Sequence, residues 1–207
     1  MFLPLRKPFI LASGSKIRRE ILQHAGISPD IKPVDLDEEA IRQEAISKGA
    51  SPQEIAMRLA QEKAYEAAAQ LSHDHVILAA DQILELDGKI FSKPLSLEEA
   101  AGHLRALRGK THNLQTALVL HAEGKIIWRH VSTPKLTMRL FSESFLKHYL
   151  DVEGHEVLQS VGAYRIEALG VHLFSHIEGD RDAILGLPLL PLLSALRQHH
   201  ILSDDFS

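Results

Sequence analysis

The run Ser13-Gly14-Ser15-Lys16-Ile17-Arg18-Arg19 sits where a short apolar stretch gives way to a helical pattern. Small residues at such a turn let backbone N–H groups approach an anion, and a helix N-terminus adds partial positive charge. Ser13 and Ser15 supply hydroxyls. Lys16, Arg18 and Arg19 put cations near the first turn, where the helix dipole disfavours them, and a bound phosphate would relieve that conflict. The same run also reads as a serine-capped helix with its basic residues in water. It is not a Walker loop, because the pattern G-x-x-x-x-G-K-[ST] is missing.

Asp81 follows the apolar run Val76-Ile77-Leu78-Ala79-Ala80. A carboxylate at the end of a buried strand must find a partner, water or a metal. That position suits a general base or a metal ligand, and equally a turn aspartate. Lys63, on a helical stretch, and Lys93, before Pro94, could each neutralise a phosphate oxygen or simply face solvent. Asp35, Asp37, Glu38 and Glu39 form an acidic cluster after Pro33. It could hold a hard cation through oxygen or open a surface helix.

Several chemistries are excluded or disfavoured. The chain has no cysteine, so disulfides and thiolate metal sites do not arise. Its thirteen histidines include no H-E-x-x-H. No G-x-S-x-G elbow or G-x-G-x-x-G fingerprint is present, which removes support for a serine hydrolase and a Rossmann dehydrogenase. A formal net charge of −4 and few aromatic residues disfavour nucleic acid as a partner. No segment approaches the apolar length of a membrane span, and the N-terminus lacks the apolar run of a secretion signal. A cytoplasmic protein with no membrane partner is expected.

The elements that must position these residues are legible in outline. Phe9 to Ser13 reads as a strand. Ile17, Ile21, Leu22 and Ala25 then recur at helical spacing before Gly26. Ser51-Pro52-Gln53-Glu54 is a capping box with proline in the first turn, opening a helix to about Leu71. A strand from His75 delivers Asp81 and continues to the Asp87-Gly88 hairpin. Ser96 opens a helix that ends near Gly109. Thr111 to His121 and Lys125 to Leu140 read as two long strands around Glu123-Gly124. Ser142 caps a helix to Leu150, a strand lies near Val171 to Ile177, and a last helix runs from Pro188 to His199. Strands and helices mixed throughout imply an α/β chain, and the long hairpin implies a mixed rather than parallel sheet flanked by helices.

These segments, in order, resemble the Maf family of nucleoside triphosphate pyrophosphatases. LASGSKIRREIL resembles the family's L-A-S-x-S-P-R-R-x-x-L-L, and RLAQEKA its L-A-x-x-K-A. AADQILELDGKIFSKP resembles G-A-D-T-x-V-x-x-D-G-x-x-x-x-K-P, and LRALRGKTHNLQTALVL the S-G-x-x-H-x-V-x-T-x-V segment. VGAYRIEALGVHLFSHIEGDRDAILGLPL resembles the stretch from A-G-x-Y-x-I-Q to G-D-x-x-x-V-x-G-L-P-L. The resemblance implies one domain over residues 1–207, or two lobes of it around a central cleft. Its fold would be shared with inosine triphosphate pyrophosphatases, and the chain would form a homodimer. It implies a house-cleaning hydrolase that splits a nucleoside triphosphate into monophosphate and pyrophosphate. Ser13, Ser15 and Arg18 would bind the triphosphate, and Lys63 and Lys93 would neutralise it. Asp81 would be the general base. Glu38, with Asp81, would hold a divalent cation, Mg²⁺ or Mn²⁺.

Departures from the family pattern bear on the base. Ile17 stands where the dTTP- and UTP-preferring branch has arginine and the 7-methyl-GTP branch has tryptophan. Gln82 and Glu167 resemble the 7-methyl-GTP branch. A carboxylate at Glu167 could accept hydrogen bonds from guanine N1–H and N2–H₂. The expectation is therefore 7-methyl-GTP, with dTTP or UTP as the alternative substrates. Lys16, Ile17 and Arg181 leave open a nucleotide-binding regulator with reduced catalysis.

Overall fold

A computed structural model describes residues 3–203; residues 1–2 and 204–207 of the expected domain lie outside the described residues. In chain order the elements begin with β1 (Phe9–Leu11), α1 (Lys16–His24), β2 (Asp30–Ile31), α2 (Glu38–Ser47), α3 (Pro52–Ala69) and β3 (Val76–Leu86). β4 (Lys89–Phe91), α4 (Leu97–Leu107), β5 (Thr111–Ala122), β6 (Lys125–Ser132) and β7 (Lys135–Met138) follow. The rest are α5 (Glu143–Glu153), 3-10 turns at Gly154–Gln159 and Leu169–Leu173, β8 (Phe174–Glu178), α6 (Arg181–Ile184) and α7 (Leu189–Gln198).

Packing divides the chain into two compact units. Of the described residues, the first holds 3–81, 116–132 and 180–203, and the second holds 82–115 and 133–179. β3 and β5 each pass from one unit into the other. In the first unit β1 pairs in parallel with β2 and β3, while β5 and β6 form an antiparallel hairpin. In the second unit β3–β4, β5–β7 and β7–β8 are all antiparallel. Parallel and antiparallel pairing coexist, so the sheet is mixed, as the hairpin pattern predicts. The core of the first unit joins Leu11 and Leu78 of the strands to Leu22 of α1 and Leu192 and Leu196 of α7. Each such side chain removed from water stabilises the fold by about 1.5–3 kcal/mol.

Both hairpins turn on residues with positive φ. Asp87 and Gly88 have φ of 52° and 80°, and Glu123 and Gly124 have 53° and 77°, the type I′ geometry that matches strand twist. Three sequence expectations are corrected. The strand expected from Lys125 to Leu140 breaks at Thr133-Pro134 into β6 and β7. Proline has no N–H for a ladder, and the Pro134 carbonyl instead accepts from Leu114 N–H at 3.0 Å. The strand expected near Val171 begins only at Phe174, because Glu153 accepts from Leu169 N–H and starts a 3-10 turn there. The helix capped by Ser142 runs past Leu150 to Glu153, stopping at Gly154 with φ 57°.

Candidate active site

In the first unit the sequence builds a cluster from four separate segments. Ser15 caps α1, its Oγ accepting from Arg18 N–H at 3.4 Å. Ser13 Oγ accepts from Ser15 N–H at 3.3 Å and from Arg18 Nη1 at 3.1 Å. Both hydroxyls serve as acceptors inside the turn, which leaves each O–H proton available to a ligand. Arg18 also donates through Nη1 to the Ala80 carbonyl and through Nε to the Gly186 carbonyl, each at 2.9 Å. Its Nη2 has no hydrogen-bond partner among the described residues. Burial pushes the Arg18 pKa down, opposed by the nearby Asp81 and Glu38 carboxylates, and a guanidinium remains charged throughout.

α3 supplies the second cation. Ser51 and Glu54 form the capping box foreseen in the sequence, and Pro52 occupies the first turn. Leu59, Ala60, Ala64 and Ala67 are fully buried along one face. Lys63 is four residues after Leu59, so its stem runs along that face and only the head reaches polar groups. Its Nζ lies 2.5 Å from Asp81 Oδ1 and 2.9 Å from Glu38 Oε1. Glu38 is the first residue of α2, capped by Asp37, where the helix dipole favours a carboxylate.

Asp81 is only 6% exposed at the end of a run buried on both faces of β3. Burial pushes its pKa above the ordinary carboxylate range. Lys63 opposes this by charge and hydrogen bond, Glu38 adds to it, and Arg18 opposes it. Its Oδ2 accepts no hydrogen bond among the described residues. A carboxylate more basic than usual, with one oxygen held and one open, can take a proton from water.

The structure thus brings Ser13, Ser15, Arg18, Glu38, Lys63 and Asp81 onto one unit. Ile17 is partly buried and packs against the apolar core. Trp128 packs on the same core and stacks on His130. Lys16 is largely exposed and pairs loosely with Glu20 at 3.7 Å. Gln82, Lys93 and Glu167 belong to the second unit. Lys93 is on the surface, and Glu167 Oε1 accepts from Arg165 Nε at 3.3 Å.

Two supports escaped the sequence reading. Gly186 has φ 95°, and a Cβ there would lie 3.1 Å from Arg18 Nε, so any other residue would present this carbonyl to Arg18 only with backbone strain and a small shift of the arginine. Thr116, fully buried, donates to the Ala183 carbonyl at 2.9 Å and holds the same turn. Gly186 lies in the segment matched to the family ending, and a glycine before Leu-Pro was the available signal. Thr116 falls on the threonine of the S-G-x-x-H-x-V-x-T-x-V segment, which was the available signal.

Glu38 and Asp81 offer two hard oxygen donors, and no cluster of three or more metal-binding side chains occurs among the described residues. That donor set fits a cation of the Mg²⁺ type, which binds through one or two carboxylates and completes its shell with phosphate and water. No helix of the described residues is long and apolar enough to cross a membrane.

Residues 8–199 match the profile of the family described as Maf-like protein. A protein of Gluconobacter oxydans named nucleoside triphosphate pyrophosphatase is 52% identical over 194 residues, 94% of this chain and 96% of its own length. Nucleoside triphosphate pyrophosphatase 1 of a Jannaschia species is 50% identical over 188 residues, 91% and 94% of the two chains. A 7-methyl-GTP pyrophosphatase of Rhizobium meliloti is 43% identical over 189 residues, with the same coverage. On these grounds the chain belongs to the Maf-like protein family.

Proposed function

We propose that the protein is a nucleoside triphosphate pyrophosphatase, and that 7-methyl-GTP is among its substrates. The observation that carries the reaction is Asp81: buried, raised in basicity, anchored through Oδ1 by Lys63 and open at Oδ2. A water proton passes to Asp81 as the water oxygen bonds to the α phosphorus. The bond from that phosphorus to the α–β bridging oxygen breaks, and pyrophosphate leaves. Ser13, Ser15 and the outer nitrogen of Arg18 bind phosphate oxygens, and Lys63 orients Asp81.

Formally the cluster is neutral, with Arg18 and Lys63 balanced by Asp81 and Glu38. A polyanionic substrate therefore needs further positive charge. A divalent cation, Mg²⁺ or Mn²⁺, held by Glu38 and Asp81, would supply it by neutralising phosphate oxygens. Lys93 is assigned the same sign of help by its motif. Gln82 and Glu167 are assigned to the base, on their likeness to the 7-methyl-GTP branch. A cytoplasmic homodimer with no nucleic-acid partner completes the reading.

Ile17 favours keeping dTTP and UTP in view, because its aliphatic side chain gives a cationic purine no ring to stack on. A panel of 7-methyl-GTP, GTP, dTTP and UTP with Mg²⁺ or Mn²⁺, scored for monophosphate and pyrophosphate, tests both readings. Orthophosphate as the sole inorganic product would overturn the mechanism. Tight binding with no product would favour the regulator.

A further inference from the structure

Glu167 projects from a turn that the second unit holds unusually firmly. Tyr149 and Glu153 lie four residues apart on α5 and so share one face. Tyr149, fully buried, donates to the Ala163 carbonyl at 3.2 Å and accepts from Arg165 N–H at 3.3 Å. Glu153, whose side chain is 5% exposed, accepts from Arg165 Nη1 at 3.0 Å and from Leu169 N–H at 2.9 Å. Arg165 O accepts from Ala168 N–H at 3.1 Å, closing the turn that contains Glu167. A Cβ on Gly170 would lie 2.5 Å from the Arg165 carbonyl oxygen, so the next turn packs directly on this backbone. The remaining contact is Arg165 Nε to Glu167 Oε1 at 3.3 Å.

An ordinary surface ion pair contributes little and leaves its side chains mobile. Here the arginine is different, because a buried carboxylate fixes one arm of its fork before Glu167 meets the other. Glu167 Oε1 is thereby located and keeps a second lone pair. Oε2 has no hydrogen-bond partner among the described residues. A carboxylate fixed in this way can accept two adjacent N–H donors without first being ordered, and that lowers the cost of binding. Two adjacent donors on one edge are what N1–H and N2–H₂ of a guanine-type base present. A pyrimidine such as uracil presents one donor between two acceptors.

We propose that Arg165, anchored by Glu153, is a positioning residue that fixes Glu167 for recognition of a guanine-type base. The inference rests on the reading above that Glu167 faces the base. It is tested with Glu167→Gln, Glu153→Gln, Arg165→Met and Arg165→Lys, measuring kcat and KM for 7-methyl-GTP, GTP and UTP with thermal unfolding alongside. Glu167→Gln raises KM for the two guanine nucleotides at least about tenfold relative to UTP, the loss of one charge-assisted hydrogen bond. Glu153→Gln keeps an acceptor for Leu169 N–H but releases Arg165, and it gives the same base-selective rise, smaller in size, with kcat held. Arg165→Met gives the larger rise, and Arg165→Lys restores part of it. If Arg165→Met lowers the melting temperature by stranding Glu153, Glu153→Gln still decides. A base-selective effect of Glu167→Gln with none in Glu153→Gln or Arg165→Met overturns the positioning role alone. No base-selective effect of Glu167→Gln overturns that role together with the base reading. An equal loss for every nucleotide in the Glu153 and Arg165 variants makes the network structural only and also overturns the inference.

Discussion

Each unit carries one cation shared by two carboxylates, and the two cations differ in kind. In the first unit Lys63 offers one nitrogen to both Asp81 and Glu38. In the second Arg165 gives separate nitrogens to Glu153 and Glu167. An ammonium is a point charge on a flexible stem, with no preferred direction toward either partner. A guanidinium is a rigid fork that fixes both distance and direction. The lysine pair suits a site where oxygens must change partners as substrate and cation arrive. The arginine pair suits a site where an oxygen must stay in place. Changes in the cluster around Lys63 and Arg18 should therefore act on every nucleotide alike, whereas changes along the Arg165 fork should act on KM and sort nucleotides by base.

The sharpest test of that contrast is Asp81→Asn. The amide keeps the shape and can accept from Lys63, but it cannot take a proton. Loss of a general base lowers kcat by roughly 10²–10⁴-fold. The loss should be the same for all four nucleotides, read as pyrophosphate release, with melting temperature near the parent's. Retained turnover would remove Asp81 from its role, and a loss confined to one base would break the comparison. Arg18→Lys comes next. A lysine cannot reproduce three directed hydrogen bonds to Ser13, Ala80 and Gly186. Stability should fall by about 2–4 kcal/mol in urea unfolding, and kcat/KM by at least about tenfold for every nucleotide. A fully active, stable variant would show that the buried fork is dispensable.

The first unit was more legible in sequence than the second, for physical reasons. Its turn, capping box and strand-end aspartate are local patterns, because a cap lies three residues from its donor and a buried strand is a continuous apolar run. Ser13, Arg18 and Asp81 stand out from such patterns and family resemblance sharpens their roles, whereas Lys63 gains its role from the resemblance alone. The Arg165 fork reaches back to Glu153 across twelve residues and a 3-10 turn. No periodicity encodes that. The sequence also misplaced the strand near Val171, since the side chain that starts the turn there comes from α5. Likewise the hairpin pattern runs strand through Thr133-Pro134, although proline alone is reason to expect a break.

The second unit also contains a buried group that should reveal itself by pH. His112 is 1% exposed, bonded through Nε2 to the Tyr164 hydroxyl at 2.9 Å, and its Nδ1 has no partner among the described residues. Burial pushes its pKa down to about 4 from 6.5, with Glu85 opposing. The folded state therefore resists a proton that the unfolded chain accepts below 6.5. Its stabilising effect is complete above that pH and is lost progressively as pH falls toward 4. The loss amounts to about 2–3 kcal/mol. Urea unfolding of the parent and His112→Phe at neutral and acid pH isolates the difference. Equal slopes in the two proteins would dismiss His112 as the cause.

The smallest effects probe how Arg18 is held. Gly186→Ala puts a Cβ on a residue at φ 95° and within 3.1 Å of Arg18 Nε. Strain of about 1–3 kcal/mol follows, with a lower kcat/KM shared by all nucleotides. Thr116→Val acts one step further out. The substitution is close to isosteric and removes one donor from the Ala183 carbonyl, at a cost of about 1 kcal/mol. Ala183 and Gly186 belong to the turn that presents a carbonyl to Arg18, so loosening one end should be felt weakly at the other. A decline in kcat/KM of about threefold or less is expected, uniform across bases, with unchanged KM ratios. A base-selective change in KM from Thr116→Val would be the more damaging result. It would mean that the cluster around Arg18 and Lys63 also sorts nucleotides by base, and the division between an exchanging lysine and a fixed arginine would no longer hold.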